Sequence, residues 1–394
     1  MLPNGLREGL LAVWLLRNLA AGCACALLLA GYMSPRAVAD TASVPGWRVV
    51  KTIGPSGGVP VITSGLGPEF VAAGAGDAWS DWTICELPCT GPSLVYRSVL
   101  EHWGGARWRP VALPKRFASY RQSAAIGASS ASLWLFNGST NVLRWNGNAW
   151  KIQRIPQWVV PSQFITYWVP LVFSSTSAWV FNLCGGPGCD HYAARWNGRH
   201  WSKSILPALP VEVSALAPED IWVLGASFKK ARYSLMHWNG RRWDAVALPK
   251  AARPGSSTQF VAGLTALSSK DVWLTWDTQD GQSAATTAYL LHWNGTTWKR
   301  VRAGSRASIV GWMTGDGHGG LWLAVNVPAR NRWYLYHRAG GRWSKYPLPG
   351  TSTASPLDIR GITSIPGTSS VWVYGDLVTN RQRNVLGAIW KYGY

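Results

Sequence analysis

The sequence has few charged residues and little helical patterning, and both shortages limit the possible folds. Only 14% of its 394 residues are charged. Beyond residue 33, no stretch has the apolar spacing of an amphipathic helix several turns long. Without such helices, a helical bundle or a helix-covered parallel sheet is disfavoured. The short apolar runs between glycine-rich turns instead predict an all-β protein.

Acidic residues are scarce, with 18 Asp and Glu against 38 Lys and Arg, a formal charge of +20. Such an excess favours anionic neighbours. We expect an anionic polysaccharide, a cell-wall polymer or a protein as partner, rather than nucleic acid. A membrane contact is expected only if the N-terminal segment is retained. The alternative is a solvated surface that keeps a monomeric protein soluble.

One long apolar run occurs, at the N-terminus. Arg7 and Arg17 flank its first part, residues 19–33 carry no charge, and Ala37-Val38-Ala39 forms a small-x-small site. The pattern predicts a signal peptide over residues 1–39, a mature domain over 40–394, and a location outside the cytoplasm. The uncharged run is shorter than the roughly 20 residues of a membrane span, although an uncleaved anchor remains the alternative.

Cysteine is rare too, and the mature chain would retain two local pairs. Cys85 precedes Cys89 by four positions, and Cys184 precedes Cys189 by five. In an exported protein such pairs are expected to close small loops as disulfides. A four-cysteine zinc site is the alternative, although zinc sites normally use the tighter Cys-x-x-Cys spacing.

Tryptophan is abundant, with 27 residues, and most belong to an internal repeat. One motif reads His/Arg-Trp-Asn-Gly-x-x-Trp. Its Asn-Gly pair predicts a tight hairpin between two strands, because both residues tolerate positive φ. Complete or degenerate copies include the pairs Trp103/Trp108, Trp145/Trp150, Trp196/Trp201, Trp238/Trp243 and Trp293/Trp298. A further degenerate copy ends at Trp343, and a last, truncated copy has Trp390 at the expected tryptophan position before the turn.

A second motif precedes each of these and has an apolar run around one tryptophan, as in Asp220-Ile-Trp222-Val-Leu. A run that is apolar on both faces predicts a strand buried between two sheets. The seven copies are spaced as four-stranded propeller blades are, and their tryptophans are Trp79, Trp134, Trp179, Trp222, Trp273, Trp322 and Trp372.

The seven repeats predict a seven-bladed β-propeller of four-stranded blades. Within the fourth and fifth repeats, residues 211–215 and 260–264 are expected to be innermost strands. The seventh copy ends without an outer strand, and Trp47-Arg48-Val49-Val50 resembles the missing one. We therefore expect an N-terminal strand to close the last blade, which removes the open sheet edge.

These repeats resemble those of secreted actinobacterial propeller proteins that carry Asp-x-Trp-x-x-Gly and His-Trp-Asn-Gly-x-x-Trp. They are distantly similar to Kelch and galactose-oxidase-type propellers. The resemblance covers roughly residues 45–394. It implies the fold and an exported location, but little about activity, because propellers host enzymes, lectins and scaffolds alike.

The long connections between second and third strands, and between blades, are expected to share one face. We call this the loop face and predict that it binds the ligand, because variable loops on a rigid scaffold usually do. Exposed tryptophans beside cations could stack on sugar rings or on bases. The predicted ligand-binding residues are Trp82, Lys229, Lys230, Arg232, Trp276, Arg330, Arg332, Arg381 and Arg383.

We expect no catalytic residue, no metal site and no cofactor. The sequence has no Gly-x-Ser-x-Gly elbow, Walker loop or His-Glu-x-x-His motif. Four histidines share one repeat position, which favours a packing or hydrogen-bonding role. A carbohydrate-active enzyme, a glycosidase or lyase with loop-face carboxylates, is the alternative, since such a pair has no fixed spacing. Asp277 and Asp280 are its nearest candidates.

Overall fold

The structure of the chain is a computed structural model. It describes residues 46–53, 59–60, 70–85, 96–114, 125–129, 132–136, 139–159, 166–184, 191–227, 232–249, 258–279, 286–302, 309–327, 332–351, 354–379 and 385–393. Within these ranges the chain forms β-strands and one short 3₁₀ turn (Gln157–Val159). None of the described segments is a helix with the length and apolar character to cross a membrane.

The strands form seven antiparallel blades. An N-terminal strand, β1 (Trp47–Ile53), precedes the first blade, which contains β2 (Val59–Pro60), β3 (Phe70–Gly74), β4 (Asp77–Cys85), β5 (Tyr96–Trp103) and β6 (Trp108–Pro110). The second contains β7 (Ala125–Ser129), β8 (Ser132–Phe136), β9 (Asn141–Trp145) and β10 (Trp150–Arg154). The third contains β11 (Thr166–Ser174), β12 (Ser177–Cys184), β13 (Tyr192–Trp196) and β14 (Trp201–Ile205).

The remaining blades repeat the same order. The fourth contains β15 (Leu209–Ala217), β16 (Asp220–Ser227), β17 (Arg232–Trp238) and β18 (Trp243–Val246). The fifth contains β19 (Thr258–Ser268), β20 (Asp271–Gln279), β21 (Thr286–Trp293) and β22 (Trp298–Val301). The sixth contains β23 (Ile309–Gly315), β24 (Leu321–Val327), β25 (Arg332–Ala339) and β26 (Arg342–Pro347). The seventh contains β27 (Ala354–Ser364), β28 (Val371–Thr379) and β29 (Val385–Tyr392), and β1 completes it.

The innermost strands form a closed ring. Contacts run in order from β3 through β7, β11, β15, β19 and β23 to β27, and β27 contacts β3 again. The expected inner strands of the fourth and fifth blades are confirmed as β15 and β19. In the first blade, β2 and β3 both pair with β4, so two short strands share the inner position. The predicted seven-bladed propeller is confirmed.

The Asn-Gly motif forms the turn between third and fourth strands. In the fourth blade, Asn239 Oδ1 accepts hydrogen bonds from the backbone N–H groups of Arg241 and Arg242 at 3.0 and 3.1 Å. Gly240 has φ +90°, a backbone conformation that other L-residues rarely adopt. The side chain thus satisfies turn donors that lack a ladder partner, and the glycine reverses the chain.

The repeated second-strand tryptophans fill the wedges between blades. Each is at most 3% exposed. Trp179 of the third blade, for example, meets Trp238 and Trp243 of the fourth at ring centroid distances of 5.4 and 6.1 Å. Edge-to-face pairing of this kind adds to the large apolar area that each indole buries. Because every wedge contains such a cluster, the core is a ring of interfaces around the axis.

The two chain ends meet in the seventh blade, as predicted. Trp47 lies opposite Tyr392, and Val49 lies opposite Trp390. One expectation was wrong: Trp390 does not occupy the tryptophan position before the turn, which Tyr392 takes two residues later. The N–H of Gly393 donates to the carbonyl of Gly46 at 3.1 Å, as Asn239 donates to Arg242 in the fourth blade. The ends therefore reproduce the repeat turn without a covalent link.

Candidate functional site

The described residues place only part of the predicted ligand-binding set. Lys229, Lys230, Arg330, Arg381 and Arg383 lie outside them, as do Cys89, Cys189 and Asp280. Arg232, Trp276, Asp277, Cys85 and Cys184 have strand positions whose side chains are not described. The two disulfides and the loop-face ligand site therefore stay predictions.

Two predicted binding residues have described side chains. Arg332 begins β25 and is exposed. Trp82 is only 7% exposed, and its Nε1–H donates to Ser80 Oγ at 3.0 Å. The ring lies against Gly387 of the seventh blade, where even a methyl group would collide with it. The assumption that Trp82 presents an exposed indole is therefore wrong, because the ring packs between blades; its binding role stays a prediction.

The four repeated histidines have the shared packing role expected from the sequence. Each ring stacks on the second-strand tryptophan of its own blade, as His292 does on Trp273 at 4.1 Å. Each also hydrogen-bonds an aspartate, as His292 Nε2 does with Asp271 Oδ1 at 2.9 Å. The other three sets are Asp77/Trp79/His102, Asp220/Trp222/His237 and Asp316/Trp322/His337.

In the sixth blade, the aspartate that bonds the histidine lies six positions before the tryptophan, whereas in the other three blades it lies two positions before it. Asp316 lies in the turn before β24, and its Oδ1 accepts hydrogen bonds from the N–H groups of His318 and Gly320. Its carboxylate fills the space that a side chain at Gly320 would need. Burial alone would raise the pKa of Asp316, but the hydrogen bonds from His337 and the two N–H groups leave it below the usual carboxyl value.

A partly buried ion cluster in the seventh blade was missed by sequence reasoning. Asp358 on β27 lies opposite Asp376 on β28. Arg360 donates to Asp376 Oδ2 from Nε and Nη2, at 2.9 and 2.7 Å, and its Nη2 lies 3.9 Å from Asp358 Oδ2. Burial raises the pKa of both carboxyls, although the Arg360 guanidinium opposes this shift. The available signal was Asp-x-Arg within an inner strand, where charge is unusual.

This cluster has the geometry of a structural ion network. Its guanidinium occupies the space between the carboxylates, and the Asp376 side chain is 3% exposed. A glycosidase needs both carboxyl groups open to substrate. Among the described residues no group of three potential metal ligands occurs.

Positive charge is concentrated on the circumference. We define the basic rim as the Lys and Arg side chains of the outer strands and of the turns preceding them. Against these fourteen cations the same segments contain one acid, Asp244. The rim residues are Arg48, Lys51, Arg107, Arg109, Lys151, Arg154, Arg199, Lys203, Arg241, Arg242, Lys299, Arg300, Arg342 and Lys345.

Most rim cations are solvent-exposed, and several lie over aromatic rings. The Arg300 guanidinium lies 3.2 Å from the Tyr289 ring centroid, and Lys345 Nζ lies 3.6 Å from that of Tyr334. Such contacts hold the long side chains against the blade while their charge stays in water. The other described acids lie on inner and middle strands or in turns at their ends, so charge is segregated radially.

No protein-family model and no curated protein matches the chain. Among solved structures, it is similar to YCF48 bound to a D1 peptide, with 11% identity over 91% of this chain and 100% of that one, at a TM-score of 0.52. Two others are the SapL1 lectin in complex with alpha methyl fucoside (13% identity, 73% and 98% coverage, TM-score 0.41) and the N-terminal domain of Nup159 (10%, 90% and 98%, 0.45). The likeness to YCF48 supports the propeller fold alone.

Proposed function

We propose that this protein is a binding or scaffold module outside the cytoplasm that engages an anionic polysaccharide or wall polymer of the cell envelope. The observation that carries the proposal is the basic rim, where fourteen cations face one acid. A surface of one sign attracts a polymer of the opposite sign and can bind several of its charges together. The extracytoplasmic location rests on the leader pattern of residues 1–39.

The loop face predicted from sequence remains a second candidate surface for the same partner. Arg332 is its one predicted cation with a described side chain, and it is exposed. Both surfaces can be compared because they offer matched substitutions. Lys151 and Lys299 represent the rim on the second and fifth blades, and both are exposed.

The test is binding of the full chain to immobilised polygalacturonate and heparin at low and high salt. We expect retention at about 50 mM salt and release near 500 mM, where the Debye length is only a few ångströms. The double variant Lys151→Glu/Lys299→Glu should bind roughly tenfold more weakly, a difference of about 1.4 kcal/mol. The matched control is Lys270→Glu/Arg332→Glu, which reverses equally many exposed charges away from the rim.

The outcomes separate the alternatives. Stronger weakening by the control pair than by the rim pair would assign binding to another surface, including the loop face. Equal binding of DNA and of an acidic protein would show general charge attraction in place of polysaccharide recognition. No retention of either polymer at low salt would overturn the proposal.

We further propose that binding occurs without turnover. Asp376 is buried and hydrogen-bonded by Arg360, whose guanidinium also lies 3.9 Å from the partly exposed Asp358. Incubation of the full chain with acidic and neutral oligosaccharides should leave them intact. Cleavage that is lost in Asp277→Asn or Asp280→Asn would instead establish the alternative enzyme reading.

A further inference from the structure

A cleft of about 400 Å³ opens where the ring is closed, between β1 of the seventh blade and the β5–β6 hairpin of the first. We call it the seam cleft. Its lining includes three cations, Arg48, Lys51 and Arg107, and two indoles, Trp103 and Trp108. Its volume lies within the range of small-ligand sites.

The cleft coincides with an irregularity of β1. The pairing of β1 with β29 shifts between Val49 and Lys51, so Val50 is an extra, bulged residue. The six other described outer strands pair with their third strands without any shift. Bulges bend a strand and redirect side chains, and they are frequent beside functional sites. Here the bulged Val50 packs against the core cluster that contains Trp103 and Trp108 of the first blade.

The seam wedge lacks an indole hydrogen bond that two other wedges have. The indole N–H opening the outer strand donates to a carbonyl of the preceding blade: Trp150 to Ala112 at 3.0 Å, and Trp298 to Ala247 at 2.7 Å. Trp108 holds the same position in the first blade, but its Nε1 has no partner among the described residues, and the same is true of Trp201 in the third blade and Trp47 in the seventh. The equivalent residue of the preceding blade is Lys51, immediately after the bulge. The seam is therefore packed differently from those wedges.

The cleft has a net positive charge. Lys51 Nζ bonds Glu101 Oε1 at 2.7 Å, and Glu101 is 4% exposed. Arg48 is exposed and donates to the carbonyl of Gly393 at 3.1 Å, while Arg107 is exposed and pairs with no described acid. One carboxylate thus offsets one of three cations. Burial and then the charge of Arg48 lower the pKa of neighbouring Lys391.

We propose that the seam cleft binds one anionic sugar unit, with its carboxylate or sulfate held by the exposed guanidinium groups of Arg48 and Arg107. The chemistry follows from these two side chains, because guanidinium groups donate charge-assisted hydrogen bonds to anionic oxygens. The inference rests on the proposed function, since the unit would belong to the same polymer.

The primary experiment is titration of the full chain with glucuronate, followed by calorimetry and by thermal stability. We expect saturable binding and a melting temperature that rises with glucuronate, because a ligand bound only by the folded state stabilises it. Glucose, which lacks the carboxylate, should give neither effect. Galactose 6-sulfate provides the sulfate arm of the same chemistry.

Three variants locate the site. Arg107→Gln and Arg48→Gln should each weaken glucuronate binding at least fivefold. Ala106→Phe, which places a ring in the cleft, should abolish it. The matched control is Lys270→Gln, which removes an exposed cation from the turn between β19 and β20, outside both the cleft lining and the basic rim, and should change binding less than twofold.

The results distinguish failure of this inference from failure of the proposed function. No saturable glucuronate or sulfate binding, or equal weakening by Arg107→Gln and Lys270→Gln, would overturn the seam site even if the polymers still bind through the rim. Cleft-dependent glucuronate binding without polymer retention would support the seam site and overturn the polymer proposal. Cleft-dependent binding together with rim-dependent retention would support both.

Discussion

At the residue scale, each buried second-strand tryptophan has a partner side chain on the neighbouring strand. The type of that partner depends on the residue two positions before the tryptophan. Where that residue is Asp, as at Asp271, the partner is histidine. Where it is Ser, as at Ser132, the partner is a cation: Arg144 lies 4.2 Å from the Trp134 ring, and Ser132 accepts the indole N–H. Both solutions cover the indole face and place a hydrogen-bonding group at its edge.

In the sixth blade, Gly320 stands two positions before the tryptophan, and Asp316 supplies the carboxylate that bonds His337. This carboxylate leads to a prediction about how stability depends on pH. Replacing Asp316 by Asn should lower the free energy of unfolding at pH 7 by roughly 1–3 kcal/mol, because a charged acceptor of three hydrogen bonds is lost. The folded-state pKa of Asp316 lies below its usual value. Its contribution is therefore present above the unfolded-state pKa and is lost as pH falls through the lower folded-state pKa.

Urea unfolding between pH 7 and pH 3 measures this effect. The difference in the free energy of unfolding between the wild type and Asp316→Asn should become smaller below about pH 4. Asp244→Asn is the control, because Asp244 is on the rim with only surface partners and should cost less than about 0.5 kcal/mol. A gap that widens with acidity would contradict the assignment.

At the element scale, β1 is the one outer strand that no short turn joins to its neighbour. It is held by its ladder with β29 and by Trp47, which is fully buried and packs edge-to-face on Trp322 at 5.5 Å. The other described outer strands follow their third strands through turns of a few residues. Loss of side-chain packing should therefore release β1 more readily than any of those.

We expect Trp47→Ala to lower the free energy of unfolding by about 3–5 kcal/mol, as truncation of a buried tryptophan does. It should also speed amide hydrogen exchange in β29 beyond the global change, through local opening of the seam. The comparison variant is Trp201→Ala, which removes the equivalent tryptophan from β14. If Trp201→Ala speeds amide hydrogen exchange in β13 as much as Trp47→Ala does in β29, the turn that joins β13 to β14 does not protect the outer strand from local opening.

At the scale of the whole molecule, Gly46 and Gly393 lie close enough for a short turn to join them. The ring should therefore also form from a chain that is opened at another turn. Gly393 and Gly46 are joined by the same backbone hydrogen bond as Asn294 and Thr297, at 3.1 and 3.2 Å. Two added residues between 393 and 46 would complete a repeat turn. Opening the chain between Gly295 and Thr296 would transfer the break to the fifth blade.

Such a circular permutant should fold to the same ring, with an unchanged circular dichroism spectrum and a melting temperature within a few degrees. Permutation at exposed turns is commonly tolerated. A permutant opened between Trp273 and Leu274, two fully buried residues, is the control and should fail to fold. If the permutant opened between Trp273 and Leu274 were the more stable of the two, the conclusion that a turn can join residues 393 and 46 without disturbing the ring would be contradicted.

Much of the architecture was predictable because its signals are local and repeated. The Asn-Gly turn, the apolar second strand and the unmatched strand at Trp47 each appear within a few residues, and together they indicated seven blades and their closure. The histidine role followed from a shared repeat position. The Trp390 register was misjudged because Lys391 occupies the position where histidine or arginine stands elsewhere, as Lys391 lies opposite Trp372.

The sequence by itself determined the blade number, the strand order and the pairing of the two ends, because hydrophobic pattern and turn residues act over short distances. Tertiary structure alone decided the burial of Trp82, the Asp358–Arg360–Asp376 cluster, the segregation of cations to the rim and the cleft beside the bulge at Val50. Each of these depends on which strands become neighbours and on how closely two blades pack. Such distances are set by the closed ring as a whole, and no single repeat encodes them.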